Sequence, residues 1–348
     1  MSKTKTPIAL CINDWHIGKE TIVEAEENWN EALDYAEKLK VSHLLVGGDM
    51  FLSRASQSLP VLRSTQTSIK EAIRSGIEVV AAPGNHDKVS LEEVYSYCHV
   101  FDGMPGYSVV DEYKCIEFDA VATHMMPYFP ETGTFKERLK NIELIKDKKN
   151  ILYCHQGING ALGHSDETNN KELPTHIFER FDTVLVAHYH NRVHLKGTNI
   201  YYVGSSRQHN HGEDTEKGYT LIYSDGSHEY LQNNVNTKYI TFEERYEDID
   251  KSTFASITEA KEENCRVRMR IFCKPNQKKL INKRDFMNAG ASKVEVVEDK
   301  IDGEEATQVS ASVRYNKNGI KTSYEAFYEE SGGEDPDFGL KYLDQINM

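Results

Sequence analysis

No stretch of this sequence approaches the ~20 consecutive apolar residues that a membrane helix requires, and Met1 to Thr6 lack the apolar region of a secretory leader. The six cysteines (Cys11, Cys98, Cys115, Cys154, Cys265 and Cys273) show no C-x-x-C spacing. Cys11 and Cys154 fall inside apolar runs and read as reduced core residues, as in a cytoplasmic protein. Internal repeats, collagen-like patterns and long low-complexity tracts are absent. Basic charge is scarce as well: 41 Lys and Arg face 55 Asp and Glu, a net charge of −14. The broad positive field that draws a protein to nucleic-acid phosphates is therefore missing. Any DNA would have to be held mainly by a partner, with only a local basic rim on this chain; otherwise the substrate is small. With 348 residues the chain can build one large core and a smaller domain.

What is present is a series of five short polar clusters, each just past an apolar run. They are Asp14-Trp15-His16, Gly48-Asp49, Gly84-Asn85-His86-Asp87, His155 and His188-Tyr189-His190. The runs before them are 8–12, 44–46, 77–82, 151–154 and 184–187. Short Val-, Ile- and Leu-rich runs bounded by turn residues are expected to be buried strands. All five clusters then fall at strand C-termini, the edge where α/β sheets place ligands. Singly, each cluster fits a cap, a turn or a core histidine; their joint placement is what points to chemistry. Two Asp, one Asn and four or five His supply enough oxygen and imidazole donors for two divalent metals. Such a pair neutralises a phosphoester, acidifies a bound water and clamps the attacking and leaving oxygens. Asp49 is the natural bridging carboxylate, and a separate imidazole can protonate the leaving oxygen. Mixed nitrogen and oxygen ligation suits manganese, iron or zinc, and magnesium less well.

These clusters resemble the calcineurin-like metallophosphoesterases, whose pattern runs D-x-H, G-D, G-N-H-[DE], H, G-H-x-H. More closely the chain is similar to SbcD-like recombination nucleases, those of T-even-type phages included. Supporting stretches are Gly48-Asp49-Met50-Phe51 with Arg54, His155-Gln156-Gly157, Val203-Gly204-Ser205-Ser206-Arg207 and Lys217-Gly218-Tyr219. The resemblance covers residues 7 to 235 well. It implies an α/β metallophosphoesterase β-sandwich flanked by helices (1–235), a small α+β capping domain (236–300) and a linker with a helical C-terminal tail (301–348). It implies that Asp14, His16, Asp49 and His190 hold one metal, that Asp49, Asn85, His155 and His188 hold the other, and that His86 is the general acid. Two departures stand out: Ala187 replaces the usual Gly of the last motif, and Leu52 stands where cellular relatives often carry His.

The activity implied is that of a two-metal DNA nuclease, exo- or endonucleolytic, using Mn2+ or alternatively Mg2+, Fe2+ or Zn2+. Its implied partners are DNA, an SbcC-type ABC ATPase with a coiled coil, and a second copy of the chain within a heterotetramer, in the host cytoplasm if phage-encoded. A stand-alone small-molecule phosphodiesterase, such as a cyclic-nucleotide hydrolase, would carry the same metal motifs. Arg54, Arg63, Lys88, Arg192 and Arg207 lie near those motifs and are candidates for the basic rim toward DNA. An apolar stripe through residues 21–40 and the Pro60-to-Gly76 interval each predict a helix. Ser90-x-x-Glu93 and Thr134-x-x-Glu137 are capping-box patterns before two more. Helices over 60–75 and 91–101, with Val61, Leu62, Ile69 and Ile73, correspond to the family's dimer contact. Beyond 235, strands are expected over 237–242, 266–273 and 293–297, with a basic helix over 277–288. In the tail, Phe327, Tyr328, Leu340, Leu343 and Ile346 are the candidates for docking on the ATPase.

Overall fold

The computed structural model describes residues 5–161 and 172–299. The expected linker and tail, with Phe327, Tyr328, Leu340, Leu343 and Ile346, lie outside these residues, as does most of the polar segment 159–171. Two six-stranded sheets form the body. The first runs in the order β12 (His228–Gln232), β11 (Gly218–Tyr223), β1 (Pro7–Ile12), β2 (His43–Val46), β3 (Glu78–Ala81), β4 (Tyr107–Val109). The second runs β5 (Lys114–Glu117), β6 (Val121–Met126), β7 (Lys149–His155), β8 (Thr183–Ala187), β10 (Ile200–Tyr202), β9 (Val193–His194). Their central strands are parallel: β1 to β4 in the first sheet; β6, β7, β8 and β10 in the second.

Side chains alternate across a strand, and here the two faces go to different cores. From β1, Ala9 and Cys11 enter the layer between the sheets, while Leu10 and Ile12 face helices. From β7, Ile151 and Tyr153 face the first sheet, and Leu152 and Cys154 the outer layer of the second. Both faces are buried, so the strands read as continuous apolar runs. Helix α1 (Ile22–Leu39) covers the first sheet with Ala25, Trp29, Ala32, Leu33 and Ala36, a helical stripe. It ends where Lys40 adopts φ 56° and its N–H turns back to Ala36 and Glu37. Helix α2 (Leu59–Arg74) starts with Pro60 in its first turn and packs alongside. Its Val61 and Ile69 are buried in this core, which removes them from any contact with a second copy.

Register brings the site together. Ile12 pairs with Val46, and Val46 with Ala81, so β1, β2 and β3 end level. In the second sheet His155 pairs with Ala187. The Tyr153 hydroxyl, fully buried between the sheets, donates to Asn13 Oδ1 at 3.1 Å and ties the two strand ends. Ala187 is an ordinary strand residue, so the missing Gly imposes no local strain.

Other expectations need correction. No helix starts at Ser90; a 3-10 turn, Tyr97–Phe101, begins later, capped by Ser96 with His99. Helix α3 (Phe135–Lys140) does follow Thr134, but without a side-chain cap, because Thr134 Oγ1 donates to Glu92 instead. The third sheet, β13 (Lys238–Arg245), β14 (Cys265–Cys273) and β15 (Ala291–Glu298), has its own core of Ile257, Val267, Met269, Ile271 and Phe286. Helix α4 (Lys251–Glu262), capped by Asp250, was not foreseen: its polar composition hides a buried face of only Thr253, Ile257 and Ala260. The basic helix over 277–288 is broken. A 3-10 turn over Lys278–Leu280 gives way to extended Ile281 and Asn282 before α5 (Lys283–Ala289), because Asn282 caps Arg284 N–H. No helix among the described residues is long and apolar enough to cross a membrane.

Trp29 tests the packing of α1. Its ring is fully buried, 5.0 Å from Trp15, yet Nε1 has no hydrogen-bond partner among the described residues. Trp29→Ala should cost about 3–5 kcal/mol. Trp29→Phe should cost under about 1.5 kcal/mol, since it also removes an unsatisfied donor. Urea unfolding of both variants checks this; equal losses would show that the indole N–H has a partner.

Candidate metal centre

Three of the loops leaving the five strand ends are bent into conformations that side-chain-bearing residues avoid. Asp14, His16, Asp49 and His188 all have positive φ, at 48°, 46°, 51° and 96°. Only three other non-glycine described residues do, so the strain is concentrated at the site. Gly48 (φ 102°) and Gly84 let the loops close: a Cβ on the first would collide with the His155 ring, and on the second with the Asp49 carboxylate.

Two groups of donors result. In the first, one ligand atom each from Asp14, His16 and His190 lies within 4.8 Å of the others. His16 Nδ1 faces the Phe51 carbonyl at 3.3 Å and His190 Nδ1 the Glu213 carboxylate at 2.8 Å. Both rings thus carry a hydrogen on Nδ1 and turn their Nε2 atoms toward each other, 3.2 Å apart. Asp14 Oδ1 joins them, 3.7 Å from His190 Nε2, buried and without a hydrogen-bond partner among the described residues. Three donor atoms converging on one point fit a cation.

The second group is Asp49, His155 and His188. His155 Nδ1 bonds the Gly47 carbonyl at 3.0 Å. Its Nε2 lies 3.0 Å from Asn85 Oδ1, 3.2 Å from His188 Nδ1 and 3.4 Å from Asp49 Oδ2. The same Asp49 oxygen is 3.5 Å from His16 Nε2, so it stands between the groups as a bridging carboxylate must. Asp49 Oδ1 accepts the His86 backbone N–H at 2.8 Å.

Burial and charge set the protonation. Burial pushes His16 down to about 3, and burial with the charge of His155 does the same to His188, so both keep their lone pairs free at neutral pH. Burial would raise the Asp49 carboxyl, but the His155 imidazole outweighs it and holds the group below the usual carboxylate range. Burial lowers His155, yet Asp49 and Asp14 overcome it and push the metal-free ring up to about 9. There a proton takes the role of a cation.

His86 is half-buried at the mouth of a cleft of about 320 Å3 lined also by Leu52, His209 and Asn210. Its Nδ1 donates to the Leu52 carbonyl at 2.8 Å, and Nε2 has no protein partner among the described residues. Position 52 therefore orients His86 through its backbone, whatever its side chain.

The expected basic rim is largely corrected. Lys88 is buried, its Nζ donating to the Tyr128 carbonyl and lying over the Phe129 ring. Arg207 is buried too, with Nε and NH2 on the Trp15 and His16 carbonyls and NH1 toward Glu24. Both hold the metal loops in place and cannot reach a DNA backbone. Arg192 is half-buried, bonding the Val203 carbonyl and lying over Tyr230. Arg54 stays exposed, and Arg63 lines a separate groove between α1 and α2. Sequence reasoning missed His209, whose Nε2 meets the Asp14 carbonyl at 2.7 Å, and Glu213 behind His190. The available signal was the dense run His209-Asn210-His211-Gly212-Glu213 directly after a supporting stretch.

The sequence matches the calcineurin-like phosphoesterase family over residues 9–192. It is 23% identical over 240 residues to "Putative phosphoesterase 078R" of Invertebrate iridescent virus 3, covering 64% of this chain and 67% of that one. Among solved structures, a dimetal phosphatase from Danio rerio is similar at TM-score 0.39 and 10% identity, covering 62% of this chain and 93% of that one. The nuclease MPE of Pseudomonas putida is similar at TM-score 0.28 and 17% identity, covering 55% and 65%.

Asp49→Ala should abolish binding at both metal positions, because one carboxylate serves both. Full metal occupancy in that variant, by elemental analysis, would remove the bridging role. Metal uptake should also depend on pH. Below about 9 the His155 proton must leave before the ring can bind a metal. Affinity should therefore rise with pH, by up to about tenfold per unit, and level off above that value. Mn2+ titrations at several pH values check the slope; a flat profile would contradict a protonated His155.

Proposed function

Because this chain belongs to the calcineurin-like phosphoesterase family and is a metal-dependent phosphoester hydrolase, we propose that its substrate is DNA. In this reading it is the nuclease subunit of an SbcCD-like recombination and repair complex, with manganese as the preferred metal and the cytoplasm, the host's if phage-encoded, as its place of action. The observation that carries the hydrolytic part is the convergence of carboxylate and imidazole donor atoms in two groups, with Asp14 Oδ1 buried and without a hydrogen bond among the described residues. Asp14, His16, Asp49 and His190 would hold one cation; Asp49, Asn85, His155 and His188 the other. Such a pair supplies Lewis acidity and an acidified water for attack on phosphorus.

The chain's own residues do the rest. Asp49 keeps the two positions together and fixes the His86 backbone through Oδ1. The Leu52 carbonyl holds His86 with its hydrogen on Nδ1, so that Nε2, once protonated, can deliver a proton to the leaving oxygen. Supporting DNA over a small ester is the α+β layer of β13 to β15 beside the cleft loop. Gln208 bonds the Tyr239 backbone on both its N–H and its carbonyl, and Arg266 pairs with Glu24.

One observation favours the alternative of a small-molecule phosphodiesterase. With Lys88 and Arg207 buried, the chain presents little positive charge of its own near the cleft. Partners would supply the missing charge. An SbcC-type ATPase, bound through the C-terminal segment, would hold the duplex. A second copy of the chain would meet this one through α2, where exposed Leu59 and half-buried Leu62 and Ile73 remain available.

The test is manganese-dependent turnover of single-stranded and duplex DNA, bis-nitrophenyl phosphate and cyclic AMP by the full chain. DNA cleavage is expected; turnover of cyclic AMP with DNA untouched would overturn the proposal in favour of the alternative. His86→Gln should retain both metals and slow DNA cleavage by roughly 10²–10⁴-fold. It should largely spare the nitrophenyl ester, whose leaving group needs no proton. Loss of metal in that variant would make His86 a ligand instead.

A further inference from the structure

The two metal positions are backed differently. Behind the second group stands a neutral acceptor: His155 Nδ1 donates to the Gly47 carbonyl. Behind the first stands a carboxylate, because His190 Nδ1 donates to Glu213 Oε1 at 2.8 Å. His16, the other imidazole of that group, has only the Phe51 carbonyl at 3.3 Å.

Glu213 is held firmly in this role. Its Oε2 accepts the His209 backbone N–H at 3.1 Å, Asn210 Nδ2 donates to Oε1 at 2.7 Å, and Lys217 Nζ lies 3.5 Å from Oε2. Lys217 Nζ also donates to the His190 carbonyl at 2.6 Å, so the histidine and its carboxylate share one anchor. The same loop holds the opposite wall of the site. His209 Nε2 bonds the Asp14 carbonyl, and Arg207 bonds the carbonyls of Trp15 and His16. No such carboxylate stands behind either histidine of the second group among the described residues. A carboxylate behind a ligating imidazole fixes its tautomer and strengthens its lone pair, and losing such a partner typically lowers metal affinity 10–100-fold.

We propose that Glu213 is a positioning residue that makes the two metal positions unequal, so that the Asp14–His16–His190 position fills first and the Asp49–His155–His188 position second. The inference rests on the two-metal reading of the site. The second ion is then the exchangeable one, present only when metal is plentiful, and the first stays bound as part of the folded protein.

The test is Mn2+ binding to the full-length, metal-stripped protein, followed by the electron paramagnetic resonance signal of free and spin-coupled Mn2+. The wild type should bind in two separated steps. Glu213→Gln should weaken the first by about tenfold and Glu213→Ala by up to about 100-fold, leaving the second within about twofold. The position is assigned in single-site backgrounds: with His155→Ala, adding Glu213→Gln should weaken the one remaining ion, and with His190→Ala it should change nothing. Equal weakening of both steps would mean that Glu213 merely supports the fold. Unchanged binding in Glu213→Ala, or equal affinities in the wild type, would also overturn the inference while leaving the hydrolase reading intact. A wild type that binds no Mn2+ would remove both.

Discussion

A set of nitrogen and oxygen donor atoms converging on one buried space governs this structure. His16, His155 and His190 are each bonded through Nδ1 to a carbonyl or carboxylate behind them and turn Nε2 inward. Two buried carboxylates face the same space. Such an arrangement repels itself unless a cation or a proton sits within it. The backbone adds to the cost, since residues held in sparsely populated regions are each disfavoured by about 1–3 kcal/mol. Four of the ligand residues, Asp14, His16, Asp49 and His188, are of this kind. The surrounding cores must over-determine these loops, and they do. Trp15, Ile17, Met50 and Phe51, the direct neighbours of ligands, are fully buried in the layer under α1 and α2.

How the cores reach the site follows from strand register. Because β1, β2 and β3 end level, Asp14, Asp49 and Asn85 leave the first sheet at neighbouring positions. His155 and His188 leave the second sheet the same way. Between the sheets Tyr153 packs among Ala9, Cys11, Leu45, Ile151 and Leu185. Its hydroxyl is satisfied by Asn13, whose own amide donates to the Gly204 carbonyl and to Asp14. Packing between the sheets is thereby coupled to the orientation of the first ligand.

Much of this was legible from residues alone. The strand runs before each polar cluster are continuous and short, because both faces of each strand are buried, and period and punctuation mark their ends. Helices α1 and α2 announce themselves by stripe and Pro. Harder to read were elements whose identity depends on partners far along the chain. Lys88 and Arg207 look like surface charge in sequence, and only tertiary structure supplies the carbonyls that bury them. Glu213 lies 23 residues from His190 in no recognised motif, and a hydrogen bond alone gives it meaning. Helix α4 buries one short face among polar residues, so its pattern is faint. Segment 90–96 failed for the opposite reason: its capping pattern is sound locally, but the apolar Val89 and Tyr95 stay exposed and nothing packs a helix there.

Asp49 links these levels. One oxygen lies between His16 and His155, at 3.5 and 3.4 Å, and the other accepts the His86 backbone N–H. The position of His86 and the spacing of the two donor groups therefore depend on a single carboxylate. Asp87, next in sequence, accepts the Phe51 and Gly84 N–H groups and clamps the loops on either side. A shift of Asp49 toward either metal position would pull His86 with it, through a bond to a backbone that Asp87 keeps rigid. The candidate metal positions and His86 are thus tied together, on a chain whose net charge of −14 otherwise discourages a phosphoester from approaching. Cations held by Asp14, Asp49 and the imidazoles that face the cleft would reverse that field locally.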